Sequence, residues 1–169
     1  MNRYSKSILV CALAGTLQAQ TANPLSAELK ANYTRVKTNF IKAAEKMPEE
    51  QYGFKPMPEM QSFRERVAHI AGSSACFSLK GENKSVDAKS KTTKADLVAA
   101  LNESFAACDA VIDNLTDADA LSVVTGGRGG PRSKLSTLYG VVSHVNEVYG
   151  YICVYMRLKG VVPPSSEPR

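Results

Sequence analysis

The sequence predicts an all-α protein, a four-helix bundle preceded by a cleaved N-terminal signal segment. Four segments of about 20 residues repeat apolar side chains at three- and four-residue spacing, which is typical of amphipathic helices. No segment sustains the two-residue alternation of a strand, so we expect no sheet. Four such helices bury their apolar faces by packing together. The chain has 169 residues, enough for one domain of this kind.

Residues 1–22 have the features of a secretory signal in the expected order. Arg3 and Lys6 give a positive start, and an apolar run of about ten residues follows at positions 8–17. Ala22 is a small residue at a plausible cleavage point. The apolar run is too short to span a bilayer, which takes about 20 residues. We therefore predict a signal peptide over residues 1–22.

The alternative interpretation of this segment is a lipoprotein signal, with lipid attached at Cys11. Cys11 lies inside the apolar run instead of after it, and Val10 precedes it where a lipoprotein signal needs a small residue. We favour simple cleavage. The mature protein, residues 23–169, is then expected to be exported to the periplasm or the extracellular space without a stable membrane anchor.

The predicted helices begin and end at recognisable signals. Pro24 suits a first helical turn. Ser62 with Glu65, and Thr93 with Asp96, have the spacing of capping boxes. A proline or a glycine follows three of the four expected helix ends, with Gly81 as the stop after the second helix. The predicted helices are Pro24–Met47, Ser62–Lys80, Lys94–Leu115 and Ser133–Lys159.

Two of the connecting segments have a distinctive composition. The segment from Met47 to Met60 carries three prolines, so we expect an ordered, non-helical connector that Tyr52 and Phe54 hold against the bundle. The segment 116–132 contains GGRGGP and is expected to be a flexible loop. It is not a phosphate-binding P-loop, because no Gly-Lys-Ser/Thr follows at the required spacing.

The distribution of charge argues against a nucleic-acid surface. The net charge is +5 and falls to about +3 without Arg3 and Lys6. The basic residues are interspersed with acidic ones, which is typical of solvated helix faces. Aromatic residues make up only 7% of the chain and tryptophan is absent, so stacking platforms for bases are not expected.

Three cysteines, Cys76, Cys108 and Cys153, remain after residue 22, all at apolar positions of predicted helices. An odd number leaves at least one cysteine without an intramolecular partner. We favour buried free thiols. A Cys76–Cys108 or a Cys108–Cys153 disulfide stays open as an alternative, since an exported protein can form one.

The two histidines, His69 and His144, are the candidate site residues. Each lies among apolar residues on the inner or boundary face of a predicted helix. A single histidine in such a place is more often a core residue than a ligand, but two on different helices suggest a shared role. Imidazole is the commonest metal ligand, and bundle cores often hold metals. Glu147, three residues after His144, could reach the same region, although a surface position is the simpler expectation.

Three stretches of the sequence resemble the DinB-like proteins. They are the connector MPEEQYGFKPMPEMQSF, the segment VAHIAG, and the C-terminal segment HVNEVYGYICVYMRLKGVVPPSS. The DinB-like superfamily consists of four-helix bundles and includes YfiT-like metal-dependent hydrolases and thiol-dependent transferases. The resemblance extends from about residue 23 to residue 166 and implies a DinB-like four-helix-bundle domain over residues 23–169.

The resemblance also implies a metal site, and the sequence departs from it at one position. The family site takes one histidine from the second helix and a His-x-x-x-His pair from the fourth, which together hold nickel or zinc. The first two ligands match His69 and His144, but the third falls on Val148. A catalytic zinc site usually needs three protein ligands. Metal binding is therefore expected to be lost or weak, with Glu147 only a weak substitute.

Two functions remain as hypotheses. In the first, the protein is an exported bundle with a degenerate two-histidine site that binds a small-molecule ligand or a protein partner. In the second, it is a divalent-metal-dependent hydrolase or a thiol-type transferase acting on a small molecule. The family resemblance also makes a homodimer plausible. Nucleic-acid binding is not expected, for the reasons of charge and composition given above.

Overall fold

A computed structural model describes residues 23–125 and 130–168, so the predicted signal peptide, with Cys11, lies outside the described residues. The described chain is mostly helical, as the sequence predicts. The α-helices are α1 (Pro24–Lys46), α2 (Phe63–Ala71), α3 (Ala75–Leu79), α4 (Lys94–Ile112), α5 (Asp117–Ala120) and α6 (Lys134–Leu158), with single 3₁₀ turns at Glu49–Gln51 and Pro164–Ser166.

The core lies where the long helices face one another. Helix α1 packs against α4 and α6, and α2 packs against the same two helices. The largest fully buried side chains are Tyr155, Phe40 and Phe63, which come from α6, α1 and α2. One apolar cluster therefore holds together helices that are distant in the sequence. Among the described helices, none is long and apolar enough to cross a membrane.

The prediction of one continuous second helix was wrong, because the chain forms two helices in this region. Helix α2 ends at Ala71 and α3 begins at Ala75. A Cβ at Gly72 would lie 3.2 Å from the Ala68 carbonyl oxygen and 3.7 Å from that of Val86. A side chain at Gly72 would therefore be crowded by the last turn of α2, whereas the segment after α3 lies at ordinary contact distance. The predicted stop at Gly81 is confirmed by its φ of 77°.

The start of α1 is not capped by a side-chain hydrogen bond from its own N-cap residue. Asn23 occupies the cap position but makes no side-chain bond to its own helix. Its Oδ1 instead accepts the backbone N–H of Asp117, at 2.8 Å. The Asp117 carboxylate in turn accepts the N–H groups of Leu25, at 3.1 Å, and Ser26, at 2.9 Å. The starts of α1 and α5 therefore satisfy each other's free donors.

The other caps agree with the sequence. Ser62 and Glu65 form a complete capping box, and the Thr93 side chain accepts the N–H of Asp96. The connector is ordered as expected: Tyr52 is 4% exposed and donates its hydroxyl to the Ala44 carbonyl, while Phe54 packs edge-to-face on Tyr155.

The absence of strands was a wrong prediction. Val123–Val124 and Arg132–Ser133 form a two-stranded antiparallel ladder, β1 and β2, with Val123 opposite Ser133. Two residues per strand are too few to give a visible alternation in the sequence. The segment 116–132 is also more ordered than its composition suggested, since α5 and β1 occupy part of it. The glycine-rich tip, residues 126–129, lies outside the described residues.

The preference for free thiols was wrong for two of the three cysteines. Cys76 of α3 and Cys108 of α4 form a disulfide with a Cα–Cα distance of 4.9 Å. Cys153 is free and partly buried. Because α3 is only five residues long, it gains its fixed position from the covalent link to α4 as well as from packing. Helical spacing alone could not choose the pair.

Candidate functional site

Helices α2 and α6 bring the two candidate histidines together. The capping box at Ser62 fixes where α2 begins, and the Tyr155 hydroxyl of α6 donates to the Gln61 carbonyl just before it, at 2.9 Å. This bond ties the start of α2 to the C-terminal end of α6. With that register, His69 near the end of α2 lies beside His144 in the first half of α6.

The imidazoles of His69 and His144 are in direct contact. Their Nε2 atoms are 2.8 Å apart, and the rings meet edge-to-face with centroids 4.9 Å apart. This distance is that of a hydrogen bond between ring nitrogens, and the two nitrogens would have to separate by about 0.5 Å to share one tetrahedral ion. The structure thus unites two residues that sequence spacing could place only on separate helices.

Glu147 orients this pair instead of joining it. Its Oε2 lies 3.3 Å from Nδ1 of His144, and its Oε1 accepts the Tyr151 hydroxyl at 3.0 Å. A carboxylate at Nδ1 keeps the His144 proton on that atom. In that tautomer Nε2 of His144 has a free lone pair, to which the Nε2–H tautomer of His69 can donate. The result is a chain from Glu147 through His144 to His69.

The pair lies at the exposed boundary of the helices and not in the core. The side chain of His144 is 47% exposed and that of Glu147 is 57% exposed. His69 is also exposed. Ligands can therefore reach the imidazoles directly from solvent.

Val148 lies on the other side of this boundary. It is 1% exposed and belongs to the apolar core, one helical turn after His144. The position that would carry the third family ligand is thus filled by a packed isopropyl group.

Arg66 and Tyr151 complete the surroundings, and the sequence analysis missed both. The Arg66 guanidinium carbon lies 4.7 Å from the centroid of the Tyr151 ring, a cation–π arrangement. The signal for both was helical spacing: Arg66 precedes His69 by three residues, and Tyr151 follows Glu147 by four. Such spacings occur throughout any helix, so they do not by themselves mark a site.

Burial, hydrogen bonds and neighbouring charges shift the pKa values of His69 and Glu147. Partial burial lowers the pKa of His69, and the neighbouring His144 and Arg66 add to this effect. Hydrogen bonds from Tyr151 and His144 lower the pKa of Glu147. Glu147 is therefore a carboxylate at neutral pH, and His69 favours its neutral form, which is the form that can bind a metal or accept a proton.

The donor set fits only part of a metal centre. After that separation, the two nitrogens could share an ion at about 2.0–2.1 Å from each. Glu147 is engaged at the far nitrogen of His144, so it does not supply a third ligand. Within residues 23–125 and 130–168, no group of three or more His, Cys, Asp or Glu side chains is arranged to hold a metal. These residues do not fit the three-ligand site of a tightly bound catalytic ion.

Comparison with known proteins identifies the family and a structure with a similar fold. The sequence profile described as "DinB superfamily" matches residues 32–152. The chain belongs to the DinB superfamily. A crystal structure of a DinB-like protein from Bacillus cereus has a similar fold, with a TM-score of 0.70 and 19% sequence identity, covering 82% of this chain and 95% of that one. No curated protein sequence matches the chain.

Membership in the DinB superfamily confirms the resemblance found in the connector, in VAHIAG and in the C-terminal segment. It shows the fold and the family of this chain. It does not show what the histidine pair does. In this DinB-superfamily protein, two of the three expected ligand positions converge, and the third is a core valine.

Proposed function

We propose that this DinB-superfamily protein is an exported four-helix bundle that binds a small-molecule ligand at the face around His69 and His144. Divalent metal, nickel or zinc, binds there weakly through the two imidazoles. The observation that carries this proposal is the 2.8 Å approach of the two Nε2 atoms at a solvent-exposed boundary. Two neutral histidines in direct contact can share a proton, a metal ion or a polar ligand group.

Weak metal binding follows from the ligand count. Tight sites usually offer three or four protein ligands with fixed geometry, and removing one lowers the affinity steeply. Here Val148 is buried in the core and Glu147 is held at Nδ1 of His144. The two remaining nitrogens can hold an ion only with water or ligand in its other positions.

Calorimetric titration with zinc and nickel tests this part of the proposal. We expect a single weak site with a dissociation constant on the order of micromolar or above, lost in His69→Ala and in His144→Ala. Tyr139→Ala, which removes an exposed ring from the same helix, is the matched control. Nanomolar binding, or binding unchanged by both histidine substitutions, would contradict the proposal.

The second candidate function is a divalent-metal-dependent hydrolase or thiol-type transferase. The close approach of the imidazoles favours it, since a small separation of the two nitrogens would let them share an ion. A metal-dependent turnover that disappears in His144→Ala would favour this alternative. Because the ligand set is incomplete, we place it second.

Export is part of the proposal on two grounds. Residues 1–22 have the composition of a signal peptide. The Cys76–Cys108 disulfide suits a protein that matures in an oxidising compartment. Sequencing the N-terminus of the mature protein tests it: a start between Gln20 and Asn23 is expected, and an intact Met1 would contradict it. A homodimer stays a prediction from the family resemblance.

A further inference from the structure

Arg66 lacks an acceptor within the part of the chain that the structure describes. Its Nε is buried and has no hydrogen-bond partner there. None of the ion pairs formed by the described residues includes it. Nearly all buried polar groups have a partner, and a guanidinium carries five donors. The described residues thus leave the guanidinium available to an acceptor that they do not supply, such as a water molecule or a ligand.

The guanidinium is nevertheless held in place. It stacks on the Tyr151 ring at 4.7 Å, and the Tyr151 hydroxyl is itself fixed by its bond to Glu147 at 3.0 Å. A side chain that is already ordered loses less conformational entropy when it binds. Arg66 is thus oriented before any ligand arrives.

Glu147 lies close enough to feel the charge of Arg66, but it forms no ion pair with it. Glu147 directs one oxygen to the Tyr151 hydroxyl and the other to Nδ1 of His144. The positive charges of Arg66 and Lys89 both act on His69, and the negative charge of Glu147 offsets them only in part. The surroundings of His69 therefore carry positive potential, which attracts anions.

We propose that Arg66 binds the oxyanion group, a carboxylate or a phosphate, of the small molecule recognised at the histidine pair. Arg66 and His69 are three residues apart on α2, so their side chains lie on one face of that helix. The planar fork of a guanidinium matches two oxygens of such a group. This inference rests on the proposed ligand-binding function and names the chemical class of the ligand.

Nuclear magnetic resonance gives a direct test, because the chain has two histidines and their ring signals are easily resolved. Sodium acetate and inorganic phosphate are titrated separately into the full mature protein, at constant ionic strength, after metal has been removed and the chelator dialysed away. We expect at least one of them to shift the His69 ring signals saturably. Arg66→Met should weaken that binding about tenfold or more. Arg35→Met, which removes the same charge from an exposed position on α1, should leave it within about twofold of wild type.

Comparing the two anions shows which chemical group the site recognises. Saturation by acetate alone identifies a carboxylate, saturation by phosphate alone identifies a phosphate, and saturation by both identifies a general oxyanion site. If Arg66→Met unfolds the protein, Arg66→Lys keeps the charge but not the fork and should bind more weakly than wild type.

The proposal is overturned if neither anion saturates the histidine signals, or if Arg66→Met or Arg66→Lys, whichever folds, binds as wild type does. Equal weakening by Arg35→Met would also overturn it, since the effect would then be one of net charge. These measurements use metal-free protein. A negative result would therefore contradict the role of Arg66 without bearing on the proposed metal binding, which the zinc and nickel titrations test separately.

Discussion

The Nε2 atoms of His69 and His144 lie 2.8 Å apart, although 75 positions separate these residues in the sequence. The contact joins α2 to α6 at an exposed boundary. It depends on the register of the two helices, which Tyr155 fixes through Gln61. The behaviour of this pair is the basis of the function proposed for the protein.

Glu147→Gln should weaken binding of metal to the histidine pair. The substitution removes the carboxylate at Nδ1 of His144, so the ring is no longer held in the orientation and tautomer that present Nε2 to a metal. We expect the zinc affinity to fall by about tenfold, the lower end of such effects. Zinc titration checks it, with Glu103→Gln on α4 as the control. Equal affinities of Glu147→Gln and wild type would show that Glu147 does not orient the pair.

Val148→His tests the missing ligand position. Val148 is 1% exposed, so a larger, polar imidazole should lower the free energy of unfolding of the metal-free protein by about 1–3 kcal/mol. If the new ring reaches the pair, saturating zinc should raise the midpoint of thermal unfolding more in this variant than in wild type.

Val148→Leu is the control for this substitution, because it adds bulk without a ligand atom. Its stability should not respond to zinc more than that of wild type. The explanation of weak metal binding by ligand count is contradicted if zinc stabilises Val148→His no more than it stabilises Val148→Leu.

Reduction of the disulfide should destabilise the protein. The Cys76–Cys108 bond closes a loop with a sequence separation of 32. The chain-entropy relation gives a loss of about 3–4 kcal/mol in the free energy of unfolding on reduction. Urea unfolding with and without reductant measures it. The Cys76→Ala/Cys108→Ala variant should show no further response to reductant, and a response there would assign the effect to another cause.

Asp117→Asn should destabilise the protein in a pH-dependent manner. Burial of the carboxyl opposes ionisation, but the hydrogen bonds from Ser26 and Leu25 outweigh it and hold the pKa of Asp117 below its ordinary value of 3.8. The lowered pKa means that the stabilisation is full above the ordinary value and is lost as the pH falls through the lowered one.

Thermal unfolding at pH 7 and near pH 3 measures this effect. Wild type should be more stable than Asp117→Asn at pH 7, and the difference should shrink in acid. Asp113→Asn, which breaks an exposed pair with Lys30, should change little at either pH. A difference between wild type and Asp117→Asn that is independent of pH would contradict the capping role of the carboxylate.

The sequence predicted those elements whose signals are local. The bounds of α1, α4 and α6 differ from the observed ones by three residues or fewer, because caps and apolar periodicity lie within each helix. The break between Ala71 and Ala75 was missed because the helical spacing of apolar residues continues across it. The choice of Cys108 as partner for Cys76 is a matter of tertiary packing.

The candidate site was predicted only in part for the same reason. Family resemblance pointed to His69 and His144, but periodicity placed them among apolar residues and could not show that they touch. Arg66 and Tyr151 escaped notice, since an arginine and a tyrosine on exposed helix faces are ordinary. Their significance appears only when α2 and α6 are packed side by side.

The most direct measurement of the central claim is the ¹⁵N resonance spectrum of the two imidazoles during a zinc titration. If His69 and His144 form one site, both Nε2 signals shift together with a single weak binding curve, while Nδ1 of His144 stays protonated. If only one ring responds, or if the two rings respond with different affinities, the histidines do not act as a pair and the account is wrong.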